Sequence, residues 1–259
     1  MNTWSFLQKY ARLQHQVIFD KLTNLDFGLV CYSQGDTSIY WNHAIVNQLI
    51  NKSQLAKIEK TLKKLGRQPT VYFENRPGLQ GLVRFLTKQG YKKGFEDSWL
   101  FWDREELDHK HFSSARKVAN QQDLDVFIKT LDACYVKDDP QNAYGELGEY
   151  VDLARNLWLK HQGSGRLEHF LVYQKDKPVA VSSLTSAKGI GYFSNIGSLP
   201  VVRGQGYGKA ATLYALQESH QKGNQDHCLA TEEGTYAHRF YKQIGFSTRF
   251  TALAYTKKR

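Results

Sequence analysis

The chain has 259 residues, 41% of them hydrophobic and 23% charged, with only 5 prolines and 20 glycines; this suits one or two ordinary globular domains and excludes disordered and collagen-like chains. Its 35 Lys and Arg against 25 Asp and Glu give +10, shared evenly, since residues 1–110 hold 16 basic and 11 acidic groups and residues 111–259 hold 19 and 14. A concentrated basic tail for nucleic acid is thereby excluded, while the excess still suits an anionic ligand.

The N-terminus runs from Met1 to Phe6 into a polar stretch with Lys9, Arg12 and Gln14, and it lacks the apolar core of a signal peptide. No apolar run approaches the ~20 residues that cross a bilayer. Cys31, Cys134 and Cys228 are too far apart to read as a disulfide framework or a cysteine-rich zinc site, so a cytoplasmic protein without membrane attachment is expected. Phe6, Tyr10, Leu13 and Val17 give residues 3–20 a helical apolar face, and short strands are expected near 27–30 and 38–41. A helix is expected over 53–65, started by Ser53 and stopped by Gly66. It is followed by a buried strand over 70–73, a helix from Leu79 to Gln89 ending at Gly90, and an aromatic strand over 95–101. The run Lys57, Lys60, Lys63, Lys64, Arg67 reads as a solvated helix face.

The polar segment from Arg104 to His111 reads as a boundary between domains, 1–110 and 113–259. Beyond it the pattern predicts a strand near 115–119, helices near 121–134 and 145–160, and strands near 167–174, 178–186 and 190–199. A helix at 207–221, a short strand at 227–230, a helix at 236–243 and a last strand at 250–255 follow. This mixture implies an α/β protein built on a mixed sheet with covering helices. Residues Arg84 to Phe95 lie without a gap over Arg239 to Phe250, matching a helix-ending glycine and the aromatic residue after it, which points to duplicated domains.

The densest local signal is the segment from Ser198 to Ala210, where Gly204, Gly206 and Gly208 alternate between a strand and a helix. Glycine lets the chain turn tightly with its N–H groups aimed at an anion, and the free amides of a helix's first turn attract phosphate; Arg203 and Lys209 add positive charge. A nucleoside-triphosphate loop needs Ser or Thr after Gly-Lys, whereas Lys209 is followed by Ala210. A dinucleotide fold would place its fingerprint on the first strand-to-helix turn with different glycine spacing.

Residues about 113–259 resemble the GCN5-related N-acetyltransferase (GNAT) family. Its hallmark is Arg or Gln, two residues, Gly, one residue, then Gly or Ala, supplied by Arg203, Gly206 and Gly208, with Pro200 where members often have proline. The block from Ala237 to Phe246 resembles the family's late helix, with its alanine, Tyr241 and terminal Gly245-Phe246. The resemblance implies a tandem acyl-CoA N-acyltransferase-like fold with a splayed central mixed sheet. It also implies acetyl-CoA as cosubstrate, its pyrophosphate on Arg203, Gly204, Gln205, Gly206, Tyr207, Gly208 and Lys209. The pantetheine arm would run beside Ile196, Gly197, Ser198 and Leu199. Many members have Asn where this chain has Gly234, so a backbone or water contact there would replace a side-chain hydrogen bond.

The implied reaction is direct attack of a neutral amine on the thioester carbonyl, with the oxyanion on a strand N–H near Ser198 or Leu199 and Tyr241 as proton donor to the leaving thiolate. Glu149, Glu168, Glu232, Glu233, His169, His227 and His238 can serve as bases, but residue type alone does not place any of them beside a substrate. No metal site is expected, because His109 and His111 lack a ligand set and HExxH is absent; no Gly-x-Ser-x-Gly elbow supports a hydrolase. The first half lacks glycine between His43 and Lys52, so it reads as a degenerate copy that binds cofactor poorly and walls the acceptor pocket. The acceptor is a small-molecule amine or a protein amino group. The alternative is a non-catalytic CoA-binding or protein-interaction module.

Overall fold

The computed structural model describes residues 2–104, 107, 111–142 and 144–258. The first elements are α1 (Thr3–Gln14), β1 (Lys21–Leu25), β2 (Gly28–Tyr32), β3 (His43–Val46), α2 (Lys52–Lys64), β4 (Thr70–Glu74), α3 (Gln80–Lys88) and β5 (Lys92–Trp102). They are followed by β6 (Ala115–Lys117), α4 (Gln121–Cys134), α5 (Tyr150–His161), β7 (Leu167–Gln174), β8 (Lys177–Ala187) and β9 (Ile190–Ser198). The chain closes with α6 (Tyr207–Gln221), β10 (Asp226–Glu232), α7 (Tyr236–Ile244) and β11 (Phe246–Thr256). Two compact units divide the chain: Met1–Trp99 with Ala230–Glu233 and Thr248–Arg259, and Leu100–Leu229 with Gly234–Ser247. The polar segment expected to separate two domains lies largely outside the described residues.

In the first unit β1, β2 and β3 are antiparallel neighbours, β3 runs parallel to β4, and β4 pairs antiparallel with Ala252 to Thr256 of β11. This unit therefore takes a strand from the far end of the chain. Its core gathers Leu55, Ile58 and Leu62 from α2, spaced three and four apart so that they share one helix face, against Val71, Phe73, Leu82 and Leu86. In the second unit β6, β7, β8 and β9 are antiparallel neighbours and β9 runs parallel to β10. Ala210, Ala211 and Ala215 are fully buried on α6, small enough to let its backbone approach the sheet closely, and the Ser182 hydroxyl donates to the Ala211 carbonyl at 2.7 Å. Both strand arrangements are mixed and open rather than closed into a barrel.

Several local expectations shift for identifiable reasons. No strand forms at 38–41, where Asn42 donates to the carbonyls of Asp36 and Ser38 while its side-chain oxygen accepts from Ser33, so an Asx-built loop displaces the strand to His43. The first helix stops at Gln14 because Gln16 turns to φ +68 and the N–H groups of Val17 and Phe19 both return to the Gln14 carbonyl. Helix α2 is capped by Asn51 rather than Ser53, in a reciprocal capping box with Gln54. Strand β1 carries no sequence signal of its own, because Lys21 and Asn24 leave it with no run of apolar residues.

Candidate functional site

The site is built from β9, the turn after it and the start of α6, all in the second unit. The β9–β10 ladder is confined to Ile190–Tyr192 against Asp226–Cys228. From Phe193 onward the register of β9 is carried by β8 alone, and there it is interrupted: Val181 faces Gly197 and Ser183 faces Ser194, so Asn195 and Ile196 stand opposite the single residue Ser182. Two residues against one make a β-bulge, and Asn195 takes a left-handed φ of +51, a conformation its short amide tolerates better than most side chains.

Strand alternation then decides which amides are available. Leu199 donates its N–H to the Val179 carbonyl at 2.9 Å, so the groups of Leu199 and Gly197 face β8. Those of Ile196 and Ser198 face the open edge, and the Ile196 carbonyl accepts there from the Tyr135 hydroxyl at 3.2 Å. Of the two expected oxyanion donors, the Ser198 N–H is directed to the edge and the Leu199 N–H is not. Gly197 is required by close approach, since a Cβ there would lie 2.7 Å from the Cβ of Cys134.

Past the 3-10 turn Pro200–Val202, Gly204 and Gly206 both take left-handed φ, +77 and +93, and Gly206 is the N-cap of α6 with no side chain capping the helix. Helical geometry leaves the N–H groups of Tyr207, Gly208 and Lys209 without intrahelical acceptors, and the space a Cβ of Gly204 would enter is open. A pyrophosphate fits this cradle of free amides at the positive end of a helix. The Tyr207 ring itself is buried and stacks on His111 at 4.2 Å, so only its backbone faces the turn. Gln205 is held by its own contacts, its carbonyl 3.2 Å from His111 Nε2 and its amide oxygen accepting from Gln174. The Arg203 guanidinium is paired with Asp139 in the segment 135–149. At α2 of the first unit, by contrast, side chains cap the helix start: Asn51 accepts from the Gln54 N–H and Gln54 accepts from the Asn51 N–H.

Helix α7 approaches the same turn: a Cβ on Gly208 would lie 3.7 Å from the Phe240 ring, in ordinary contact. Tyr241 follows it, buried, with its hydroxyl raised above the usual phenol range by burial and by the neighbouring phenols of Tyr144 and Tyr192. Its proton is therefore retained at neutral pH, as a donor to a leaving thiolate requires. Gly234 donates its N–H to His238 Nδ1 and its carbonyl accepts from Arg239, so both of its backbone groups are engaged at the start of α7.

The expected bases separate by environment. Glu168 is buried between Lys117 and Lys222, a structural ion-pair position, and Glu149 is exposed at the start of α5. His169 is fully buried and lowered to about 3 by that burial, and His227 is lowered to about 4, so both are neutral at pH 7. Glu232 and Glu233 belong to the first unit, where Glu233 accepts from Ser98 and Glu232 lies near Asp97. Asp97 itself was not singled out by sequence; burial lifts its carboxyl to about 7, opposed by the Tyr72 hydroxyl that donates to it and reinforced by Glu232. Asn195, Tyr135, Tyr150 and Asp139 were also missed, because their partners are tens of residues away. Among the described residues no group of three His, Cys, Asp or Glu could hold a metal, no helix is long and apolar enough to cross a membrane, and the three cysteines are free and buried.

Residues 128–246 match the acetyltransferase (GNAT) family model. Among solved structures, a GCN5-related N-acetyltransferase from Kribbella flavida is 18% identical, with 97% of this chain and 95% of that chain covered at a TM-score of 0.65. A conserved protein of unknown function from Staphylococcus epidermidis is 13% identical over 94% and 95%, with a TM-score of 0.68. A tandem GNAT protein from the clavulanic acid biosynthesis pathway is 13% identical over 89% and 78%, with a TM-score of 0.56. At these identities the likeness is one of fold. No curated protein matches the chain. The segment that matches the acetyltransferase (GNAT) family model, 128–246, contains the open strand edge, the glycine turn and Tyr241.

Proposed function

We propose that the chain is an acetyl-CoA-dependent N-acetyltransferase acting by direct attack on a primary amine of a small molecule or a protein. Acetyl transfer from acetyl-CoA is the activity of the family that residues 128–246 match. The observation that carries the reading to this chain is the meeting, in one unit, of an uncapped glycine-built helix start with an open β9 edge bearing the Ser198 N–H. Acetyl-CoA supplies the acyl group, whose C–S bond breaks as the amine's N–C bond forms. The protein's own part is to hold the anionic arm on the glycine turn and the free amides of Tyr207, Gly208 and Lys209, to aim the Ser198 N–H at developing negative charge, and to keep the Tyr241 proton available for the thiolate.

The reading extends to two related halves, with 113–259 catalytic and 1–110 a degenerate copy. It is supported by α3 and α7, nine residues each, which both end at a glycine of positive φ and lead into the eleven-residue strands β5 and β11. The capping box of α2 supports the loss of a phosphate cradle in the first half.

The test is calorimetric titration of the full chain with acetyl-CoA, followed by thiol release over a panel of primary amines. Saturable binding with amine-dependent release is expected. Binding without release by any amine would favour the non-catalytic CoA-binding module, and no binding would remove the reading altogether.

A further inference from the structure

Asn195, the extra residue of the β9 bulge, is tied into a line of side chains that crosses three neighbouring strands, from half-buried Tyr150 and Asn195 to buried Ser183 and His169. The Tyr150 hydroxyl on α5 donates to Asn195 Oδ1 at 2.9 Å, and Asn195 Nδ2 donates to Ser183 Oγ on β8 at 3.1 Å. Ser183 Oγ lies 2.8 Å from His169 Nδ1 on β7. Ser183 Oγ, accepting from Asn195, shares the next hydrogen bond with His169, which burial keeps neutral. Ser183 and His169 are both fully buried, and the His169 ring stacks on Phe127 of α4 at 4.0 Å with only 7° between planes. The line is continuous from α5 through β9 and β8 to β7.

The location gives this line a consequence. Asn195 precedes Ile196 and Ser198, the residues whose backbone groups face the open edge. A strand that loses its bulge slips by one residue, and a one-residue slip reverses the direction of every following N–H. Gly197 and Leu199 would then face the opening in place of Ile196 and Ser198.

We infer that Asn195 is a positioning residue for acyl transfer: the line Tyr150, Asn195, Ser183, His169 holds the β9 bulge in the register that directs the Ser198 N–H to the thioester carbonyl. The inference rests on the acetyltransferase reading. Tyr135, donating to the Ile196 carbonyl, secures the neighbouring edge group but is separate from the line.

The experiment uses full-length protein loaded with [1-¹³C]acetyl-CoA and reads the infrared stretch of the thioester carbonyl, with CoA affinity measured by calorimetry in parallel. Asn195→Gly removes the side chain yet accepts the positive φ, and Ser183→Ala removes the central link. The wild-type stretch should lie below that of free acetyl-CoA, since a hydrogen bond weakens the C=O bond. Both variants should bind CoA within about threefold of wild type and lose about half or more of the downshift. The double variant should lose no more than either single one, because the line is already broken, and Ser183→Thr, which keeps the hydroxyl, should restore the downshift. A wild-type downshift in Asn195→Gly would overturn the inference, as would losses that add in the double variant or a fall in CoA affinity parallel to the spectral loss. Should Ser183→Ala not fold, Asn195→Gly decides alone. Wild-type protein that binds acetyl-CoA without a downshift overturns this inference only, whereas wild-type protein that does not bind acetyl-CoA removes the acetyltransferase reading and this inference with it.

Discussion

Arg203 and Asp139 form an ion pair at 2.5 Å, with the guanidinium one-fifth exposed and the carboxylate nearly buried. Arg203 opens the glycine-turn motif, yet its charge is met by a carboxylate from the segment between α4 and α5, and its hydrogen bond holds the Asp139 carboxyl below the usual range. Phosphate binding therefore falls to the backbone amides that follow. Asp139→Asn removes a negative charge beside the turn and frees Arg203, so CoA affinity should rise by about two- to fivefold, the scale of a single ion pair. Calorimetry checks this; weaker or equal binding would show that Asp139 serves the site by ordering its own segment.

The three glycines of the turn should respond unequally. Gly206 needs a left-handed conformation and stands at the helix start, so Gly206→Asp adds both strain and negative charge, and acetyl-CoA affinity should fall by about tenfold or more while the fold persists. Gly208 has an ordinary φ, and an added Cβ would rest 3.5 Å from the Ser198 hydroxyl, so Gly208→Ala should bind within about twofold of wild type. Equal losses in the two variants would displace the cradle from this turn.

Tyr241→Phe should lower the maximal transfer rate by about 100-fold with nearly unchanged acetyl-CoA affinity, the signature of a proton donor used in the transition state. Burial holds the Tyr241 proton above the usual phenol range, so the rate should show no loss from its ionisation up to about pH 10. A pH–rate profile of both proteins decides the point, and unchanged turnover in the variant would remove Tyr241 from the chemistry.

Asp97 should make the protein less stable as pH rises. Its folded carboxyl titrates near 7 while the unfolded one titrates near 4, so between those values the folded state alone keeps the proton, and stability falls across that window and then levels off. Asp97→Asn keeps an oxygen for the Tyr72 hydroxyl, to which Trp99 Nε1 donates in turn at 2.7 Å, and removes the ionisation. Urea unfolding at pH 8 should show it more stable than wild type by on the order of 1–3 kcal/mol, with the difference nearly gone at pH 4. A constant difference at both values would mean that ionisation is not its source.

Gly90 and Gly245, paired by the internal similarity, should differ as substitution sites. A Cβ on Gly90 would approach nothing closer than 3.7 Å, the end of the Lys257 side chain, so Gly90→Ala should cost only the left-handed strain of about 1 kcal/mol. A Cβ on Gly245 would fall 2.7 Å from the Trp102 ring, adding about 1–3 kcal/mol of overpacking. Thermal midpoints of the two variants measure the difference; equal shifts would mean that Trp102 moves aside at little cost.

Much of the second unit could be read along the chain. The helix over 121–134, the strand over 167–174 and the helix over 207–221 stand where the apolar periodicity places them. The glycine turn and Tyr241 carry the motifs by which the family match was anticipated. The failures have a common cause. The loop at 36–42 is built by side-chain bonds that outcompete the short run Ile39-Tyr40-Trp41, and the pairing of Glu168 with lysines 51 and 54 positions away could not be read from residue type.

What the sequence by itself determined is local: where helices begin and end, and where glycine permits a turn whose amides face outward, because these depend on the conformations of a few consecutive residues. What only the tertiary structure decided is which partners those groups meet. The last strand of the chain completes the first unit beside β4, Arg203 is met by Asp139, and Asn195 is locked through Ser183 to His169. Hydrogen bonds and ion pairs between residues so far apart depend on how the sheet brings strands into register, and composition, spacing and periodicity carry no record of that register.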